Sequence, residues 1–146
     1  MKKLAMLMTL CMGLGANVAH ARDDVQSFSV SEALSIEEAK SKLGTSVKFY
    51  FGDQKHGKIE KNFGNVSTSK KTNAFNKSDK EACQWVFLSA MMQLKDRAAR
   101  EGGNAVVNIK SNYKHNLTSS DTEFKCGAGT FVAGVALTGD VVKLAD

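Results

Sequence analysis

The stretch of this 146-residue chain that comes nearest to a catalytic signature is Gly52-Asp53-Gln54-Lys55-His56-Gly57-Lys58-Ile59. It follows the phosphate-binding pattern G-x-x-x-x-G-K through Lys58, but Ile59 stands where a hydroxyl must hold magnesium. Such a loop also has to open a helix, so that free N–H groups face the phosphates. The residues after Lys58 read as a strand, so nucleotide hydrolysis is not expected.

Other chemistries find equally little support. Beyond His20, which lies near the N-terminus, His56 and His115 stand singly among polar residues, and neither belongs to a metal-ligand pair. No metal or cofactor is expected. No serine occupies a G-x-S-x-G elbow, and nothing sets a Cys or Ser beside a His base. Asp and Glu are scattered, and whether any two face each other is a three-dimensional matter. A small secreted hydrolase using carboxylates therefore remains an alternative to a non-catalytic role.

The N-terminus supplies the context for the cysteines. Lys2 and Lys3 precede an apolar run from Leu4 to Leu14, and Ala19-His20-Ala21 places small residues at positions −3 and −1. This is the pattern of a secretory signal peptide over residues 1–21, cleaved after Ala21; a retained signal anchor is the alternative. The run falls short of the roughly 20 residues of a membrane span. Export leaves a periplasmic chain from Arg22 to Asp146 with no transmembrane span. Lys2 and Lys3 leave with the signal, so the net charge falls from +5 to +3, and Cys11 leaves as well.

What remains is an even pair, Cys83 and Cys126. In an oxidising compartment an isolated pair most often forms a structural disulfide. A redox or metal pair is the alternative, but there is neither C-x-x-C spacing nor a nearby His.

Lysines are the remaining candidates. Lys55, Lys58, Lys61, Lys70, Lys71, Lys77 and Lys80 fall close together in sequence, with Asp53, Glu60 and Asp79 as partial counterweights. Such a patch attracts an anionic polymer or headgroup. A solvated lysine face, which also discourages edge aggregation, is the plainer alternative. Nucleic-acid binding is not expected, because it asks for more arginine and for stacking aromatics on the same face.

The elements that must position these residues follow from periodicity. Arg22 to Ser31 is polar and reads as a tether or a loosely attached strand. Ser35-Ile36-Glu37-Glu38 fits a capping box, opening a short helix to about Leu43 with Gly44 as its stop. These make an N-terminal segment, 22–45, ahead of a domain spanning 46–146. Val47–Phe51 and Lys58–Val66 read as strands around a Gly52–Gly57 turn, and Ser67–Asn76 as a loop. A long helix begins at Ser78 or Asp79 and lasts to about Arg100, stopped by Gly102-Gly103. Its stripe of Cys83, Val86, Phe87, Ala90, Met91, Leu94 and Ala98 faces a core. Trp85, Leu88 and Met92 widen the apolar surface, toward either a second covered side or a partner groove. Ala105–Ile109 reads as a buried strand and Tyr113–Asp121 as an exposed loop. Glu123–Cys126 and Thr130–Leu144 complete the strands, with Gly134 and Gly139 as candidate bulges. The expected fold is α+β: a small, mainly antiparallel sheet, disulfide-stapled, with one long helix packed on one face.

Val47-Lys48-Phe49-Tyr50, Phe63-Gly64-Asn65-Val66-Ser67, Gly103-Asn104-Ala105-Val106-Val107, Cys126 and Gly134-Val135-Ala136-Leu137 together resemble the RcsF-like envelope sensor domain. The Asn-Ala-Val start of the strand after the helix is similar to YbjQ-like small domains. The resemblance spans roughly Ser46 to Leu144. It implies a compact α/β domain with a disulfide tying the last strands to the region before the helix, Cys126 falling at one end and Cys83 as its partner. RcsF-like sensors are lipoproteins with a Pro-rich tether and a second disulfide. This chain has no proline and no second pair, so the resemblance implies the fold more than the signalling.

The resulting expectation is a periplasmic protein that binds rather than catalyses, recognising an envelope protein or an anionic envelope component through Lys55, Lys58, Lys61, Lys70 and Lys71. The alternatives are the carboxylate hydrolase and a structural subunit of an envelope assembly.

Overall fold

A computed structural model describes residues 22–146; the signal peptide expected over 1–21 lies outside the described residues. The elements in chain order are β1 (Asp24–Ser29), α1 (Val30–Leu34), α2 (Glu37–Leu43), β2 (Lys48–Phe51), β3 (Ile59–Asn73), α3 (Asp79–Glu101), β4 (Ala105–Tyr113), β5 (Asn116–Thr118), β6 (Glu123–Ala128) and β7 (Val132–Leu144). The class is α+β. The sheet is larger than the small one expected, with seven strands, and it is mixed. Five of its six strand pairings are antiparallel, while β2 runs parallel to β4.

β7 is the axis of the molecule. One of its edges pairs with β3 from Val132 to Leu144; the other is shared between β6 at Ala133–Gly134 and β4 at Leu137–Val142. β1 extends the sheet beyond β6, and β2 and β5 extend it beyond β4. Of the segment Arg22–Ser31, Asp24–Ser29 is thus built into the sheet as a strand and Val30 and Ser31 open α1, so the segment is not a tether.

α3 carries the stripe read from the sequence. Cys83, Val86, Phe87, Ala90, Met91, Leu94 and Ala98 are all buried against the sheet. Ser78 caps its start by accepting from the Glu81 N–H at 3.1 Å. Gly102, at φ +84°, closes its end in the left-handed conformation that glycine reaches without steric penalty. Phe87 stacks on Phe124 with centroids 4.0 Å apart, and Phe28 and Phe51 flank the pair. Cys83 and Cys126 are bonded, joining α3 to β6 with Cα atoms 5.9 Å apart. α1 and α2 cover the second side of α3 through Ala33, Ala39 and Leu43.

Several local expectations give way to tertiary structure. Ser35 does not cap α2, whose N-cap is Ile36 with no side-chain bond. It instead ends α1, where its hydroxyl donates to the Glu32 carbonyl at 2.7 Å and is no longer poised to cap α2. The predicted loop over 67–76 is strand to Asn73. Pairing with β7 satisfies its backbone, Val66 and Thr68 point inward, and Ser67, Ser69 and Lys71 point to water. The predicted loop over 113–121 contains β5, reached through a two-residue turn with Lys114 and His115 both at positive φ. The bulges lie elsewhere than Gly134 and Gly139. The register breaks in β4 between Val107 and Lys110, where Asn108 has φ +53°, and Gly139 stays in regular pairing with Val66.

Candidate functional site

The predicted lysines do not form one patch. Successive strand residues point to opposite faces, so Lys70 and Lys71 diverge, Lys70 half-buried and Lys71 exposed. Lys61 and Lys71 lie about 30 Å apart along β3 at the strand's rise per residue. Lys55 and Lys58 are exposed in the connection before β3, where the Lys58 carbonyl accepts from the Ala145 N–H at 2.8 Å. The Lys61 ammonium rests 4.9 Å from the centroid of the Phe63 ring. Lys80 is engaged by Glu32. The segment 55–71 is no hairpin, because β2 pairs with β4 while β3 pairs with β7. Only its far end, Lys70 and Lys71, approaches anything resembling a site.

At that end two loops meet. The Ala74 N–H donates to the Phe131 carbonyl at 2.8 Å, locking the β3–α3 connection to the β6–β7 turn. Asn73 accepts from the Phe75 N–H at 2.8 Å, and its carbonyl accepts from the Lys77 ammonium at 2.9 Å. Asn76 takes φ +59°, completing a tight connection into α3. Across from it, the Gly129 N–H donates to the Val132 carbonyl at 2.9 Å. This scaffold stacks Phe75 on Phe131, centroids 5.7 Å apart and planes 13° from parallel, out in solvent. Phe75 is 54% exposed, Phe131 64% and Val132 50%. Together they present on the order of 300 Å² of apolar surface, the size of patch that on a monomer is commonly functional. With Lys71, Thr72 and Asn73 they line a shallow, open depression of the surface.

The two loops carry only positive charge of their own, while Asp23 lies within electrostatic reach of Lys71. Residues 70–77 and 129–132 contribute Lys70, Lys71 and Lys77 and no carboxylate. The nearest acid along the chain, Asp79, already accepts from Arg22 and from the Gln26 amide at 2.7 Å. Arg22 foremost, then Gln26, holds its carboxyl below the ordinary value of 3.8. Neither phenylalanine stands out in the sequence, since Phe75 falls in a stretch of loop composition and Phe131 in the apolar run Phe131-Val132-Ala133 read as the start of a strand.

Two other features are built differently. The outer face of the sheet carries Tyr113, whose ring occupies the space over Gly127 and Gly134; a Cβ on Gly127 would lie 2.1 Å from it. Its hydroxyl donates to Asp23 at 2.9 Å, and Lys114 pairs with the same carboxylate. Lys114 first, then Tyr113, lowers the Asp23 carboxyl, while burial and then the Asp23 hydrogen bond raise the Tyr113 phenol. This group latches the start of the fold onto the sheet. The second feature is a groove of about 220 Å³ between α2 and α3, lined in part by Ile36, Glu38, Glu81 and Trp85. Glu38 is paired with Lys42 at 2.9 Å, and Lys42 also sits 5.6 Å from the Trp85 ring. That volume is below the roughly 300–1,000 Å³ of small-molecule sites.

Among the described residues no three His, Cys, Asp or Glu side chains gather where they could hold a metal ion. Among the described residues no helix is long and apolar enough to cross a membrane. The Gly52–Lys58 stretch runs into β3 and opens no helix. No family model, no curated protein and no solved structure matches the chain.

Proposed function

We propose that this protein is an exported, periplasmic, non-catalytic binding domain that recognises an anionic component of the cell envelope at the end of β3. The observation that carries this reading is the solvent-exposed Phe75–Phe131 stack, with Lys71 lining the same surface and Lys77 in the same loop as Phe75. Apolar surface held in water beside lysines favours a ligand that is both negatively charged and able to cover the rings. Export is supported by the signal-peptide pattern of residues 1–21 and by the buried Cys83–Cys126 bond, which persists in oxidising compartments. The RcsF-like resemblance supports the envelope setting through its short motifs. The hydrolase alternative would draw on Glu38 and Glu81 in the α2–α3 groove. It has against it the small volume and the pairing of Glu38 with Lys42.

Two charge-reversal sets test the reading. Lys70→Glu, Lys71→Glu and Lys77→Glu are expected to abolish retention on immobilised dextran sulfate at unchanged thermal stability. Lys55→Glu, Lys58→Glu and Lys61→Glu change net charge equally and are expected to leave most retention in place. Equal loss in the two sets, or retention surviving the first, overturns the assignment.

A further inference from the structure

We infer that the protein binds an acidic sugar, a saccharide unit carrying one carboxylate, in the hollow that the outer face of the sheet forms beside the β4–β5 turn. This rests on the binding reading above and names its ligand class. The hollow adjoins the Phe75–Phe131 surface, because Lys71 lines both.

The hollow exists because short side chains lie beside long ones. β3 and β7 supply its floor with Ser67, Ser69 and Ala136, on the face of the sheet turned away from α3. Lys71, Tyr113, Lys114 and His115 stand around that floor, with Asn112 beside them. The space is about 540 Å³, within the roughly 300–1,000 Å³ of small-molecule sites and far more than a bare ion fills. The Tyr113 wall is fixed, since its hydroxyl donates to Asp23 at 2.9 Å and its ring lies over Gly127 and Gly134. The site is therefore formed before a ligand arrives, which lowers the cost of binding.

The rim is strained. Lys114 and His115 hold φ +51° and +63° in a two-residue turn where Asn-Gly is the favoured pair. Two non-glycine residues are kept in the left-handed region at a cost in stability, and strain of this kind gathers at ligand clamps. Both of them line the hollow. Its polar groups then define what it takes. Lys71 and Lys114 both act on the Asp23 carboxylate, so two ammoniums share one acid and a single positive charge is left over. That balance suits a ligand with one negative group. The Ser67 and Ser69 hydroxyls, the Asn112 amide and the His115 imidazole can each donate and accept. Sugar hydroxyls do the same, whereas a bare oxyanion only accepts and would leave the accepting half of these groups unused.

The test follows the amide NMR spectrum of the purified protein during titration with a short galacturonate oligomer, a neutral maltose-type oligomer of the same length, and sodium phosphate. The galacturonate oligomer is expected to shift the signals of Ser67, Ser69, Asn112 and His115 and to bind at least about tenfold more tightly than the other two. The variant Ser67→Ala, Ser69→Ala, His115→Gly keeps every lysine. It is expected to lose about tenfold in affinity for the galacturonate oligomer. Its melting temperature is expected not to fall, and its retention on dextran sulfate, which needs only charge, is expected to persist. Undiminished galacturonate binding by this variant overturns the hollow as the site. Neutral oligomer or phosphate binding as tightly as galacturonate overturns the acidic sugar. Retention on dextran sulfate without galacturonate binding overturns the inference and leaves the anionic-ligand reading standing. Absence of both from the unmodified chain overturns both.

Discussion

Replacing Cys83 and Cys126 together by alanine removes the one covalent link between α3 and the sheet among the described residues, and its cost follows from the structure. The bond closes a loop of 43 residues. Constraining the unfolded chain over that length is worth about 4 kcal/mol on the chain-entropy estimate. Both cysteines are fully buried between α3 and β6, so shortening them leaves small voids worth about a further 1 kcal/mol. A total near 5 kcal/mol is a large part of the roughly 5–15 kcal/mol available to a domain of this size. At the usual unfolding entropy per residue it lowers the melting temperature by roughly 15–20 °C. Urea titration of the oxidised protein and the double variant measures the difference directly. The slope of the transition is expected to steepen in the variant, because its unfolded state is no longer held compact by the link. Because neither sulfur meets solvent, dithiothreitol is expected to reduce the bond only as fast as the fold opens. A loss below about 2 kcal/mol with an unchanged slope would refute the loop-entropy argument.

His115→Gly is expected to stabilise the protein by about 1 kcal/mol in urea titration, since His115 holds φ +63° in the β4–β5 turn with no neighbour requiring its side chain there. Gly139→Ala is expected to cost about 1–3 kcal/mol, because the added carbon would lie 2.7 Å from Val106 Cγ1 and 3.1 Å from Ile109 Cγ1 in the core. Stability at the start of the fold should fall on acidification. Asp79, held low by Arg22 and Gln26, and Asp23, held low by Lys114 and Tyr113, contribute above the ordinary value of 3.8 and lose that contribution as pH falls through their folded values. Hydrogen exchange of β1 amides followed from neutral to acid pH should show the strand loosening, and Asp23→Asn with Asp79→Asn should flatten the dependence.

Much of the fold was legible because its signals are local. The α3 stripe is a 3.6-residue period, Ser78 is a cap and Gly102 a left-handed stop, so the helix reads directly to within a residue of its ends. The β3 extension was hidden because Ser67-Thr68-Ser69-Lys70-Lys71-Thr72-Asn73 has loop composition, and only the hydrogen bonds of β7 make it a strand. Ser35 shows the converse: a sound capping motif lost its role when a second, earlier helix claimed the residue. The site was legible only in part. Lys70 and Lys71 lie at the end of β3 where the two loops meet, while Lys55, Lys58 and Lys61 lie toward the opposite end of a long strand. Phe75 and Phe131 come from loops 56 residues apart in sequence and meet through the Ala74–Phe131 hydrogen bond.

By itself the sequence determined the class of the fold, the long helix with its buried face, and the even cysteine pair left once the expected leader is set apart. Each of these depends on residue identity or on spacing within one turn or one strand. The tertiary structure alone decided that the sheet is mixed and seven-stranded, that Arg22 abuts the β6–β7 turn, and that Phe75 and Phe131 stack in solvent at the end of β3. Those are consequences of which strand pairs with which. Pairing is fixed by long-range hydrogen bonds and packing that no short window of residues contains.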